Sequence, residues 1–329
     1  VISVLVQPSD RLITIIGGSG FLGRHIVRAL ARRGYRIRVA CRRPDLAGHL
    51  QPLGNTGQIM MVQANVRYPA SLAAACDGAY AVINLTGVLY SAGAQSFDAV
   101  HAFGAEASAA AARAARAKVF IQMSAIGADE NSPAQYARSK AEGERRAKAA
   151  FPGAIILRPS IVFGPEDSFF NRFAGLARLS PFLPLIGGGE TKFAPVFVGD
   201  VAEAVARLVD GGEASGTTYE LAGPEVFTFK QLMRFTLDTI GRSRLLLPLP
   251  WGLAKLQAAV LGLLPKPLLT MDQVELLKSD NVAGEAAQRE GRTLEGLGIT
   301  PQGIEGIVPG YLYRYRKAGQ FTAPKGMPE

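Results

Sequence analysis

Apolar runs of strand length alternate with longer amphipathic stretches through the first half of the chain. The runs lie at 12–16, 37–41, 59–62, 81–85, 119–123 and 154–157. Between them, stretches such as 20–33 and 97–116 are rich in Ala and Arg and place apolar residues at helical spacing. The strand runs are apolar at nearly every position instead of alternating, a pattern of parallel strands covered on both faces. Repeated strand–helix units of this kind predict a doubly wound α/β core with a parallel sheet.

The texture changes after Pro165. Residues 166–194 combine an aromatic-rich helix around Phe169, Phe170 and Phe173 with a Pro/Gly-rich loop over 181–189. Residues 195–222 return to the α/β pattern, and from Pro224 onward the chain reads as helices broken by proline. The expected organisation is a core domain of 11–165 plus 195–222, a smaller, mostly helical C-terminal cap of 166–194 plus 223–317, and a frayed tail at 318–329.

With 48% hydrophobic and 19% charged residues in 329, the composition is globular. A net charge of +9 leaves anionic partners open, whether nucleotides, nucleic acid or a lipid surface. A single Trp and no RNA-binding aromatic cluster speak against nucleic acid. Cys41 and Cys76 cannot build a disulfide framework and suggest a reducing compartment. His25, His49 and His101 are too scattered for a metal site. No basic segment followed by an apolar one opens the chain, so no signal peptide is expected; a removed presequence stays open.

Gly17, Gly20 and Gly23 follow the first strand and open the first helix, with Ser19, Phe21 and Leu22 among them. A sharp turn, close backbone approach to a pyrophosphate and tight helix–strand packing each require a missing Cβ. The phosphates then meet the free N–H groups of a helix N-terminus. Where an NAD site offers Asp or Glu after the second strand, this chain has Cys41, Arg42 and Arg43. Guanidinium forks suit a 2′-phosphate, so NADP(H) is expected over NAD(H). Asn65 and Val66, after the third strand, are placed beside the adenine. Leu85, Thr86 and Gly87 form a polar turn at the end of the fourth strand, where open α/β sheets bind ligands.

The fifth strand ends at Met123 and Ser124, and Tyr136 and Lys140 follow at i and i+4, on one face of a helix. A neighbouring ammonium favours phenolate, so Tyr136 is expected to have a lowered pKa and Lys140 to hold ribose hydroxyls. Ser124 is placed to orient a substrate carbonyl. These groups suit proton delivery to oxygen during hydride transfer.

The glycine run, Ser124 and the Tyr136/Lys140 pair together resemble an extended or atypical short-chain dehydrogenase/reductase, and segments 157–165 and 198–202 fit the same superfamily. Within it the chain is most similar to the nucleotide-binding accessory subunit of respiratory complex I and its bacterial relatives, through segments 82–87, 124–129, 136–144, 163–173, 187–193 and 219–225. The resemblance implies a Rossmann-type sheet and a cofactor site completed by Met123, Pro159, Ser160, Ile161 and Val162. It also implies a tightly held NADPH without known turnover and respiratory complex I as partner. The location would be cytoplasmic, or peripheral on the inner face of a bacterial or mitochondrial inner membrane. Because Ser124, Tyr136 and Lys140 are retained, an active NADP-dependent reductase, epimerase or dehydratase of unknown substrate stays open, as does an accessory protein of quinone biosynthesis. Many relatives carry a relay Asn in the fourth helix. Here that place holds His101 or, shifted by two, Phe103. A buried, hydrogen-bonded His101 is expected, with a relay as the alternative.

Residues 245–264 are the most apolar stretch. From Trp251 to Leu264 it is shorter than the roughly 20 residues that span a bilayer, and Pro265 ends it. It reads as a cap helix over the substrate cleft or as a monotopic membrane contact, with Trp251 and Lys255 at the interface. The Tyr- and Arg-rich end at 311–317 would suit an anionic lipid surface.

Overall fold

A computed structural model of the chain describes residues 7–211, 215–262, 264, 267 and 269–321. Strands β1 (Leu12–Ile16), β2 (Arg36–Cys41), β3 (Ile59–Gln63), β4 (Ala81–Asn84), β5 (Val119–Met123), β6 (Ile155–Pro159) and β11 (Thr218–Leu221) form a sheet of seven. Its order is β3-β2-β1-β4-β5-β6-β11, and every neighbouring pair is parallel. This is the Rossmann-type doubly wound sheet, with its topological switch between β1 and β4. Outside it the short strands β7 (Val162–Phe163) and β10 (Val196–Phe197) pair with each other, as do β9 (Lys192–Phe193) and β12 (Phe227–Thr228).

Helix α1 (Phe21–Arg32) and α6 (Val198–Gly211) cover one face, burying Ile26, Val27, Leu30, Val201 and Val205 against strand residues such as Ile13, Ile15 and Ile83. Helices α2 (Pro69–Cys76), α3 (Phe103–Ala114) and α4 (Gln135–Ala150) cover the other. The alanines of α3 let it lie close to α4, with Ala105, Ala109 and Ala112 in the same core as Ala147 and Phe120. The helix expected over 97–116 instead opens with one wide π turn, Asp98–Ala102, before α3 begins.

Two contacts across the fold position α4. A Cβ on Gly143 would lie 2.2 Å from the His101 carbonyl oxygen, so only glycine permits this approach. At the N-terminus of α4, Ala134 has no capping side chain. The backbone N–H groups of Gln135 and Tyr136 donate instead to the Asp272 carboxylate, at 2.5 and 2.9 Å. Asp272 belongs to α9 (Met271–Leu276), which carries its own Thr270/Gln273 capping box.

The cap core gathers α5 (Phe170–Leu179), β8 (Phe182–Ile186) and α7 (Phe229–Thr239) around Phe163, Phe170, Leu183, Leu185, Phe229 and Leu232. Two expectations are corrected here. Within the stretch expected as loop, β8 is a strand, paired in parallel with β13 (Leu245–Leu249). The first part of the apolar stretch 245–264 is therefore strand, and only Trp251–Leu261 is helix (α8). Pro184 and Pro248 explain this: each excludes a helix interior and drives its predecessor extended, and a two-stranded sheet leaves room for prolines. Nor is 311–317 a free basic end. Tyr311 Oη donates to Asp167 at 2.5 Å, Tyr315 Oη to Asn171 at 3.1 Å, and the Arg316 guanidinium to the Thr239 carbonyl at 2.9 Å. Tyr311 and Leu312 are buried in the cap core and Tyr315 packs against it, while Tyr313 stays exposed. Pro265 and the tail from 322 lie outside the described residues.

Asp272→Ala should lower stability by about 1 kcal/mol through loss of the α4 cap, whereas Asp272→Asn should keep most of it, as Asn also accepts at helix N-termini. Urea unfolding of both variants checks this; equal losses would show that the carboxylate does not act as a cap.

Candidate functional site

A cavity of about 1270 Å3 runs along the C-terminal edge of the sheet and on into the cap. Its first wall is the turn after β1. Gly17 has φ +79° and lies against Thr86, so a side chain there would be strained. A Cβ on Gly23 would stand 2.3 Å from the Gly18 carbonyl oxygen; only glycine lets α1 begin so close to the strand. Gly17, Ser19, Gly20, Phe21, Leu22 and Gly23 all line this wall.

After β2 the two arginines part. Arg42 lines the cavity and donates to Gln95 Oε1 at 2.6 Å. Arg43 is turned away from the lining, its exposed guanidinium forked onto Asp45 at 2.6–3.2 Å. The sequence did not anticipate this; an acid two residues from one of two adjacent arginines was the available signal. No acid follows β2 at the cavity wall, where Cys41 stands beside Arg42. Asn65 and Val66 line the cavity together with Arg67 and Gln95, which sequence reasoning missed. Arg67 sits beside a recognised pair, and Gln95 is brought in by a loop with no motif.

Leu85, Thr86 and Gly87 follow β4, whose Asn84 carboxamide accepts from the Thr86 N–H and hydroxyl at 3.1 and 2.7 Å and turns the chain there. They line the cavity, as do Met123, Ser124, Tyr136, Lys140, Pro159, Ser160, Ile161 and Val162. Asn281 reaches the last group from the cap: its Oδ1 accepts from the Ser160 hydroxyl at 2.7 Å and the Ile161 N–H at 3.1 Å.

The charges here are arranged differently from expectation. The buried Ser124 hydroxyl donates to Glu144 Oε1 at 2.5 Å. Glu144 in turn accepts from Arg158 at 2.8 and 2.7 Å, and Arg158 pairs with Glu220 at 3.5 Å. Lys140 Nζ lies 3.4 Å from the Met123 carbonyl oxygen and 5.8 Å from the Tyr136 ring centre. Burial pulls the Lys140 pKa down to about 8, against the raising influence of Glu144. The expected lowering of Tyr136 does not occur: burial, then the Asp272 charge, push its pKa up to about 12. His101 is fully engaged. Its Nε2 accepts from the Val88 N–H at 3.0 Å, so Nδ1 carries the proton toward Ser139 Oγ at 2.8 Å. Burial, then Lys140, hold its pKa down to about 2. A neutral, hydrogen-bonded structural histidine accounts for all of this.

The site fits a dinucleotide: a glycine cradle at a helix N-terminus, a cation without a competing acid after β2, and polar turns at successive strand ends. The comparisons agree. A subunit 9 of the NADH dehydrogenase [ubiquinone] 1 alpha subcomplex from Arabidopsis thaliana is 36% identical over 93% of this chain and 78% of its own. A ceramide reductase from Caulobacter vibrioides is 33% identical over 73% of this chain and 74% of its own. The fold of an Escherichia coli NADPH-dependent quinone oxidoreductase, solved with NADPH, superimposes with a TM-score of 0.70 at 22% identity, covering 92% of this chain and 99% of that one. The NAD dependent epimerase/dehydratase family matches residues 13–222, most of the described core, and the chain belongs to that family of short-chain dehydrogenase/reductase-like, NAD(P)-binding proteins.

Proposed function

We propose that the chain holds NADP(H) as a resident group and serves as a nucleotide-binding subunit of a respiratory complex I-type assembly. The observation that carries this is the 36% identity, spread over 93% of the chain, to a complex I subunit. The site supports retention of the nucleotide. The Ser124 hydroxyl is committed to Glu144, and Tyr136 is held as a neutral phenol. Lys140, buried next to the strand ends, would hold ribose hydroxyls. Gly17, Ser19 and Gly20 would hold the pyrophosphate, and Asn65 and Val66 the adenine. Arg42 is the group for a 2′-phosphate; Arg43 would contribute only by leaving Asp45.

A second reading, an NADP-dependent reductase, is favoured by the ceramide reductase relative and by the three residues Ser124, Tyr136 and Lys140 lining one cavity. A bound nicotinamide would supply hydride. Tyr136 would then deliver the proton from its phenol, with Lys140 beside it. Ser124 would first have to exchange Glu144 for the substrate oxygen.

Arg42→Ala should weaken NADPH by about 1.5–3 kcal/mol, the scale of a hydrogen bond to a charged group, and NADH far less. Arg43→Ala should change NADPH affinity by no more than about twofold, as expected for an exposed pair. Titration of NADPH fluorescence measures both; equal affinity of the unmutated protein for the two cofactors would overturn the NADP preference.

Tyr136→Phe separates the two readings. For a structural subunit, co-purified NADPH should fall modestly and nothing else should change. For an enzyme, single-turnover oxidation of bound NADPH by carbonyl substrates should drop about 10²–10⁴-fold, the scale of general acid catalysis. An unmutated protein that oxidises its NADPH with a carbonyl panel would overturn the purely structural role.

A further inference from the structure

The cavity is larger than the roughly 300–1,000 Å3 of drug-sized sites, and it continues beyond Tyr136 into the cap. That arm is walled by Phe169, Phe173, Leu183, Leu249, Leu261 and Leu277. A dinucleotide laid along the strand ends does not use these residues.

The arm reaches the surface at an apolar mouth. Phe182 and Leu247 both line the cavity and are exposed, at 48% and 39%. They sit on the paired strands β8 and β13, where Leu247 lies opposite Pro184. Helix α8 forms the facing side. It buries Ala254 and Ala258 against Ile186 and Val274. Leu253, Leu256 and Val260 fall at i, i+3 and i+7 on one stripe and are exposed at 56%, 65% and 63%. At 3.6 residues per turn, the cavity-lining Gln257 and Leu261 fall between this stripe and the buried face. The exposed stripe therefore runs beside the mouth. No helix among the described residues is long and apolar enough to cross a membrane, so the stripe suits a helix lying in the interface.

Among the described residues one cation lines the arm. Arg172 of α5 lines the cavity on the cap side, and burial alone lowers its pKa. The acids lining the same side are engaged elsewhere: Glu275 pairs with Lys255 and Lys278, and Asp280 accepts from the Lys192 backbone N–H.

We propose that the cap arm takes the hydrocarbon chain of a bilayer-borne amphiphile whose head carries a carbonyl or anionic oxygen, entering through the Phe182/Leu247 mouth while the α8 stripe rests on the membrane. An apolar channel with an apolar rim offers a soluble polar substrate nothing, whereas a lipid chain passes from bilayer to channel without crossing water. Arg172 meets the head oxygen. The inference rests on the nucleotide site occupying the sheet end of the same cavity.

Trp251, the single tryptophan of the sequence, packs with Ile186 and Leu249, which line the arm, and reports on it. NADPH-loaded protein is titrated with 12-doxylstearate and its methyl ester, reading nitroxide quenching of Trp251, and is floated with phosphatidylcholine/phosphatidylglycerol vesicles. Quenching by both probes should saturate. Leu247→Glu and Phe182→Glu should each weaken them at least tenfold while NADPH stays bound, which also shows that the variants fold. Arg172→Gln should weaken the carboxylate probe more than the ester. Leu253→Ser combined with Leu256→Ser and Val260→Ser should abolish flotation and leave probe binding from solution intact. Retained NADPH with linear, unsaturable quenching, or with mouth variants that bind as well as the parent, overturns the lipid arm alone. Saturable binding without flotation overturns delivery from the bilayer. Failure to bind NADPH at all overturns the nucleotide reading instead.

Discussion

Helix α4 can lie where it does only because Gly143 has no side chain. Its Cα meets the carbonyl of His101 at a distance that any Cβ would forbid. That contact fixes the helix against the wide turn before α3, and the chemistry follows from it. Ser139 meets His101, Lys140 comes under the end of β5, and Glu144 reaches Ser124. The π turn at Asp98–Ala102 belongs to the same arrangement. It brings the His101 ring to the Val88 N–H, so the loop after β4 and the helix α4 share one neutral imidazole. Local widening of a helix at a functional site is a recurrent device.

Desolvation decides the electrostatics of this corner. A nearby ammonium alone would pull a tyrosine down, but Lys140 is buried as well and is itself drawn toward neutrality. The Asp272 carboxylate at the helix N-terminus adds to the effect of burial on Tyr136. Burial opposes whichever form is charged, and here it outweighs the attraction between the two groups. Glu144, buried in the same corner, is held by two partners, the Arg158 fork and the Ser124 hydroxyl. The retained Ser, Tyr and Lys thus line one cavity together, with Ser124 tied to Glu144 and Lys140 within reach of the Met123 carbonyl.

The sheet was legible because its signal is local. A buried parallel strand shows as a continuous apolar run, and β1 and β5 fall on the runs at 12–16 and 119–123. The glycine turn was equally legible, since the left-handed φ of Gly17 and the approach of Gly23 to the Gly18 carbonyl are set within the turn itself. What escaped depends on partners far along the chain. Nothing near β8 announces that it pairs with β13, some sixty residues later, because a two-stranded parallel contact leaves no periodicity to read. The Asp272 cap on α4 joins residues 137 apart in sequence. Tyr311 and Tyr315 looked like interfacial residues because their acceptors, Asp167 and Asn171, precede them by 144 residues. The arginine pair after β2 was read as a unit, but Asp45 takes one member and leaves the other to the cavity.

These long-range contacts make the cap a working part of the nucleotide site. Asp272 holds the start of α4, and Asn281 holds Ser160 and Ile161 on the wall of the groove. On the far side, Gln302 bonds both oxygens of the buried Asp200 at the head of α6. A swing of the cap on a hinge would break all three sets of hydrogen bonds, two of them to groups that position Tyr136 or line the cavity. Each of these bonds, exposed or part-buried, would be exchanged for water at a net cost of about 0.5–1.5 kcal/mol, so together they oppose large opening motions. The arm and the nucleotide groove are thus parts of one cavity whose walls share these hydrogen bonds.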